Sequence, residues 1–293
     1  MAQRARLVPC GHSRLLRRDG MQPSRNLVFT SAGDRSNVRR WLRGNRNFDV
    51  WITYYGDEPG GLCELADVYN VRRDSKFGNL KFAYDAWPDM FAPYGAVWVA
   101  DDDLLISATQ ISRLFDLRAA LDLWALQPAF SPLGKISWPI TRAQWQCDFR
   151  YTNFVEMTCP LFRKDKLDAF MAVFDPKLTG TGTDWWYMQV LGERLEGKVA
   201  IVDSITCINP HDRGKGGIRE IDRLQSQDQM ALAWDSVRAQ YGVARTRAVE
   251  FGKTYKPLHK RRLSQAIHYP IDLYARVRRW AGETKRALES RRT

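Results

Sequence analysis

AVWVADDDLLI, residues 96–106, is the stretch on which the reading of this chain turns. Val97, Trp98, Val99 and Ala100 form an uninterrupted apolar run, the pattern of a strand buried on both faces. Asp101, Asp102 and Asp103 stand where that strand ends. Three adjacent carboxylates repel one another, and the cost falls when a cation, or a ligand carrying one, lies among them.

Working outward, the flanking segments alternate between strand and helix patterns. NLVFTSAGD (26–34) reads as a strand running into a polar loop, SNVRRWLRG (36–44) as a helix stopped by Gly44, and FDVWITYYGD (48–57) as a second strand. DVYNVRR (67–73) is a third strand, and KFGNLKFAYDAWPDMF (76–91) starts polar and becomes a helix. Residues 104–123 predict a further helix. ALQPAFSP and GKISWPIT predict two short strands, and residues 150–162 a strand pair or a bent strand. Residues 164–174 predict an amphipathic helix, 179–193 a Gly/Thr loop leading into a helix, and 198–211 a strong strand ending at His211. The expected fold is an α/β, Rossmann-like, mostly parallel open sheet flanked by helices. Ligands bind such sheets in the crevice beyond the C-terminal strand ends. Asp34, Asp57, Arg73 and Asp101–Asp103 would all open onto that rim.

Of the 293 residues, 44% are hydrophobic, enough for a sizeable core. No apolar run approaches the roughly 20 residues that cross a bilayer, and the basic N-terminus has no continuous apolar segment that reads as a secretory signal. Five cysteines without CxxC spacing argue against a disulfide framework or a zinc site and fit a reducing compartment. The net charge of +12 is concentrated at the ends. Residues 1–20 carry five Arg and one Asp, and residues 245–293 carry 14 Lys/Arg against four Asp/Glu, which leaves the middle slightly acidic. A nucleic-acid enzyme more often places its positive charge around the working cleft. No specific nucleic-acid partner is therefore expected, and the tail charge better suits an anionic membrane surface. The expected organisation is a flexible basic arm over 1–24, a catalytic domain over 25–215 and a basic, mainly helical extension over 216–293. The expected location is cytoplasmic, peripheral on the inner face of the membrane.

These segments together resemble the nucleotide-binding half of GT-A glycosyltransferases. The shared features are an aspartate after the second strand, a basic residue before an Asn-bearing helix start (Arg73, Lys76, Asn79, Lys81), and a DxD motif ending the fourth strand. The string DDD…LQPAFS…ISWPIT…FVEMTCPLF…GTGTDWW…VAIVDS…H, over residues 26–212, also resembles a plant and bacterial family of unknown function labelled "lysine ketoglutarate reductase trans-splicing related". That label describes a different activity, and no GxGxxG dinucleotide fingerprint follows the first strand here.

The resemblance implies a metal-dependent transfer of a sugar from a nucleotide-sugar donor, a UDP-sugar for preference, to a glycan or lipid-linked acceptor in surface polysaccharide synthesis. The departing diphosphate needs a Lewis acid, and Mn²⁺ or Mg²⁺ held by carboxylates supplies one. The implied metal ligands are Asp101, Asp103 and His211, with Asp102 an alternative, and an imidazole ligand leans the choice toward Mn²⁺. Asp34, Asp57, Arg73, Lys76, Asp101 and Asp102 are the implied donor contacts. Asp184, opening a helix in GTGTDWW, is the implied base for the acceptor hydroxyl, and Glu156 in FVEM is a second candidate.

Each feature has a plainer reading. Asp34 is ordinary turn chemistry after glycine, Asp184 is a helix cap beside Thr183, and Glu156 is a buried carboxylate paired to an arginine. Trp185 and Trp186 are core residues or a sugar platform. A nucleotidyltransferase and a non-catalytic nucleotide- or sugar-binding relative are the competing functions. TSAGDRSN only partly matches the loop of the former. DDDLLI lacks the Thr or Val that a haloacid-type phosphatase needs. In the tail, Ile271, Tyr274, Val277, Ala281 and Leu288 share a helical face among basic residues, with Pro270 expected to open a second helix. That pattern suits either a helix lying on an anionic membrane or one packed on the domain with a solvated basic face.

Overall fold

A computed structural model describes residues 6–10, 13–17, 25–211 and 220–289. The chain builds one mixed sheet of eleven strands, with helices on both faces. The strands are β1 (Arg6–Cys10), β2 (Ser13–Arg17), β3 (Asn26–Ala32), β4 (Asp49–Tyr54), β5 (Val68–Val71), β6 (Ala96–Val99), β7 (Ala125–Phe130), β8 (Cys147–Thr152), β9 (Leu161–Arg163), β10 (Val199–Cys207) and β11 (Glu250–Tyr255). The helices are α1 (Val38–Trp41), α2 (Lys76–Ala86), α3 (Ala108–Ala120), α4 (Lys164–Val173), α5 (Thr183–Leu191), α6 (Glu220–Leu224), α7 (Gln227–Tyr241) and α8 (Leu258–Glu289).

The sheet order is β1-β2-β5-β4-β3-β6-β9-β7-β10-β8-β11. Parallel pairing runs through β5-β4-β3-β6 and again between β7 and β10. The short β9 is inserted antiparallel between β6 and β7, and β8 and β11 extend the far edge antiparallel. The parallel strands β4 and β6 are buried at every position, as continuous apolar runs covered on both faces must be. One face holds Phe77, Phe162, Phe170, Trp186 and Tyr187, under α2, α4 and α5. The other holds Trp41, Phe48, Trp98 and Phe115, under α1 and α3.

Several segments differ from expectation for local reasons. GKISWPIT is a loop with one 3₁₀ turn at Pro139–Thr141, because Pro139 has no N–H for a ladder. The expected helix over 36–44 shortens to α1, which is capped at Leu42, and Gly44 turns the chain at φ +99° two residues later. Within the stretch expected to be a flexible arm, β1 and β2 form a hairpin whose second strand pairs with β5. Residues 220–255, assigned from sequence to an extension, join the same unit. Trp234 and Val237 of α7 pack in the core, and β11 pairs with β8.

A buried ion network fixes that last pairing. Arg150 on β8 donates to Asp203 on β10 at 2.7 Å and to Glu250 on β11 at 2.6 Å, with the Arg150 and Asp203 side chains both inaccessible to solvent. The remaining guanidinium hydrogens reach the carbonyls of Ile140 and Arg142. An arginine this buried is tolerated because its charge and its donors are matched. Finally, α8 runs straight through Pro270 as one helix rather than breaking there. Pro270 costs it a single backbone donor.

Candidate functional site

The C-terminal ends of β3, β4, β5 and β6 open into a cleft of about 850 Å³. Its walls bring together Asp34, Asp57, Arg73, Lys76, Asp101, Asp102, Asp103, Glu156 and Asp184. His211 is exposed and lies one residue past Pro210, the last part of that strand end to line the cleft.

The three aspartates have separate surroundings. Asp101 pairs with the Lys76 ammonium at 2.7 Å, and that lysine, only 7% exposed, also donates to the carbonyls of Met157 (2.6 Å) and Thr158 (2.9 Å). Ser75 caps α2 by accepting from the Gly78 N–H, which sets Lys76 at the first turn beneath the strand end. Asp102 accepts from the Gly33 N–H at 3.0 Å. Burial pushes its carboxyl up to about 7, with Asp103 and Asp101 adding to the rise and the Gly33 N–H opposing it. The carbonyl of Asp103 accepts from the Asn37 side chain. The repulsion within DDD is thus relieved by one ammonium at Asp101 and by a proton held near neutrality on Asp102.

Two buried carboxyls, Glu156 and Asp184, line the same cleft. Glu156 accepts from the Thr158 hydroxyl at 2.9 Å, and its backbone N–H is held by Gln127 at 2.5 Å. Threonine and glutamine, not arginine, hold it; the buried arginine serves Asp203 and Glu250 instead. Its Oε2 is buried and meets no partner within strict hydrogen-bond geometry, with the Ser137 side chain close enough to favour the charged form. Burial raises Glu156 to about 7, against a hydrogen bond from Thr158, and the charges of Asp184 and Asp101 raise it further. Asp184 sits in the first turn of α5 and accepts from the Trp185 N–H at 3.0 Å. Burial raises it to about 6, while that N–H and the Arg245 guanidinium favour its ionised form. Gly182 precedes α5 at φ +92°, with Trp234 packed so closely that an added Cβ would meet its ring at 2.1 Å. Only glycine fits there, and it aims the first turn of α5 into the cleft. Trp185 lines the cleft against Phe154 and Trp138, whereas Trp186 is a core residue beneath it.

The outer residues are engaged with one another. Asp34 accepts from the Tyr54 hydroxyl and from the Asp57 N–H at 3.1 Å, and these bonds, the Tyr54 one foremost, hold its carboxyl below the usual range. It organises the loop after β4. Asp57, 85% exposed, pairs with Arg73, whose Nε donates to the Tyr55 carbonyl at 2.9 Å.

Among the described residues no three His, Cys, Asp or Glu side chains converge as a metal cage. Asp101 and Asp103 nevertheless line one cleft. Two carboxylates completed by phosphate oxygens and water are how Mg²⁺ is commonly held. The pair could therefore take part in holding a hard cation. Among the described residues His211, the implied imidazole ligand, is not one that lines the cleft.

Sequence reading missed Lys135, Ser137 and Trp138, which line the cleft from the loop mistaken for a strand, and Arg245, which follows α7. Gly134 and Pro139 carried the signal for that loop. Nothing in the local sequence marks Arg245, which reaches the site only through the packing of α7.

No protein-family model and no curated protein matches the chain. Solved structures of S. aureus TarS are similar to it. The TarS structure matches with a TM-score of 0.47 at 10% identity, over 64% of this chain and 36% of that one. TarS 1-349 in complex with UDP matches with a TM-score of 0.47 at 11% identity, over 71% and 65%. The complex with UDP-GlcNAc matches with a TM-score of 0.45 at 11% identity, over 74% and 73%. This chain thus spans about a third of the longer TarS chain, and the likeness is too distant to carry chemistry across.

Proposed function

We propose that this chain is a metal-dependent glycosyltransferase that moves a sugar from a nucleotide-sugar donor, a UDP-sugar for preference, to a glycan or lipid-linked acceptor in surface polysaccharide synthesis. One observation carries the reading: a single cleft faces an acidic strand end, DDD, with two buried carboxyls that titrate close to neutrality. That is the division of labour a glycosyl transfer needs, one set of groups for a charged leaving group and one for proton removal.

Asp101 and Asp103 would hold Mg²⁺ or Mn²⁺, which supplies Lewis acidity to the departing diphosphate. Lys76 fixes the Asp101 carboxylate in place. Lys135, Arg35 and Arg73 line the same cleft and add positive charge for the phosphates. The exposed Asp57 and the loop ordered by Asp34 suit the nucleoside end. Asp184 is the base that takes the acceptor hydroxyl proton, because the Trp185 N–H and Arg245 favour its charge. Glu156, held closer to its neutral form, donates a hydrogen bond to the acceptor through Oε2.

The test is calorimetric titration with UDP, GDP, CDP and ADP, each with and without Mg²⁺ or Mn²⁺, on the wild type and on Asp103→Ala. Binding of one diphosphate that needs both the cation and Asp103 is expected. Absence of cation-dependent binding to all four would refute the reading.

A further inference from the structure

Helix α8 docks on the domain with its polar side. Ser264 donates to the Trp145 carbonyl at 2.7 Å, and the His268 ring stacks on Trp145 with centroids 3.9 Å apart. Asp272 accepts from Arg142 at 2.8 Å and from the Trp145 indole at 3.0 Å. Ser264 and Ala275 are the buried residues of this face. The apolar side points away: Leu263, Ile267, Leu273, Tyr274 and Val277 are 47–61% exposed. At 3.6 residues per turn these five fall within an arc of about 120°. The exposed Lys260 and Arg278 flank one edge of that arc, and the exposed Arg262 flanks the other.

A terminal helix that merely completes a domain turns its apolar stripe inward. This one does the reverse and borders the outward stripe with cations on both sides. We infer that α8 lies on an anionic membrane leaflet, with its apolar stripe sunk at the level of the acyl boundary and its flanking cations among lipid phosphates. Charge complementarity favours lipid over a second copy of the chain. Two copies meeting through this stripe would bring their cationic edges together, in a segment (245–293) that carries 14 Lys/Arg against four Asp/Glu. The loop that holds α8 through Arg142 and Trp145 also supplies Lys135, Ser137 and Trp138 to the cleft, so a membrane-bound α8 sets the cleft at a fixed distance from the leaflet. The inference does not depend on the reaction proposed for the cleft.

Flotation of the full chain with lipid vesicles tests it. Phosphatidylcholine vesicles are compared with vesicles containing about a third phosphatidylglycerol. The wild type is expected to float with the anionic vesicles and to be released by salt. The triple variant Leu263→Ser, Ile267→Ser, Leu273→Ser, which changes only exposed positions, is expected to lower the partition at least about tenfold. Lys260→Glu with Arg278→Glu is expected to lower it by a similar factor. Unchanged thermal melting of the variants shows that the domain is intact. Failure of the wild type to float, equal flotation with phosphatidylcholine alone, or undiminished flotation of the triple variant overturns the inference. So does sedimentation equilibrium showing a dimer that the triple variant dissociates, with no flotation.

Discussion

Replacing Glu156 with glutamine should stabilise the protein in alkaline solution and leave it unchanged in acid. Glu156 is buried and holds its proton to about pH 7, against 4.5 for an ordinary glutamic acid. The folded protein keeps a proton that the unfolded chain releases above pH 4.5. Stability therefore falls as the pH climbs from 4.5 through 7, and above 7 the whole loss is present. A difference of about 2.5 pH units at about 1.4 kcal/mol each comes to about 3.5 kcal/mol. Glutamine has the shape of the neutral acid and never ionises, so Glu156→Gln escapes that loss. For a chain of this size, about 3.5 kcal/mol corresponds to a Tm higher by about 5–10 °C. The assay is thermal unfolding of both proteins by circular dichroism at pH 5 and pH 8.5. The Tm difference at the lower pH should be about a quarter of its full size and should open across neutrality. Asp184 also titrates near 6 and is coupled to Glu156 by charge, so the transition will be broader than that of a single group. A Tm difference that is the same at both pH values would refute the reasoning, because it would mean that Glu156 is already ionised at low pH or is solvated in the fold.

Three further outcomes follow from the geometry. Asp184→Asn should lower turnover by about 10²–10⁴-fold with little change in nucleotide affinity, since it removes a proton acceptor and not a phosphate contact; calorimetry and a sugar-transfer assay read the two quantities separately. Asp203→Ala leaves the buried Arg150 with Glu250 as its remaining carboxylate partner and its Nε without an acceptor, and should cost about 2–4 kcal/mol in denaturant unfolding; a cost under about 1 kcal/mol would show that water reaches the pair. Gly182→Ala combines a positive φ with a clash against Trp234 and should cost about 2 kcal/mol or more, displacing Asp184 with it; wild-type stability and turnover in this variant would show that the turn relaxes freely.

Much of the cleft was legible in the chain itself. The run AVWV followed by DDD requires a buried strand ending in charge, and helix starts at Ser75 and Ser107 follow from capping side chains. The same local chemistry was available at Ser226 and Gln229, whose capping box opens α7, although the sequence reading placed that region in a mainly helical extension without marking a helix start there. β11 was hidden because it is short, exposed and interrupted by Gly252, and only the partner β8 makes it a strand.

Periodicity and composition over a few residues are enough to mark which residues carry charge at strand ends and which runs are buried. Tertiary structure alone decided which of those charges meet. Lys76 and Asp101, Arg150 and Asp203, and Arg245 and Asp184 are each far apart in sequence and are joined by how strands and helices pack. Tertiary structure also decided the orientation of α8. Its periodicity shows one apolar and one polar face, and the stacking of His268 on Trp145 together with the Asp272–Arg142 pair turns the polar face inward. A helical pattern states which side chains share a face, and only the surface it meets determines which face is covered.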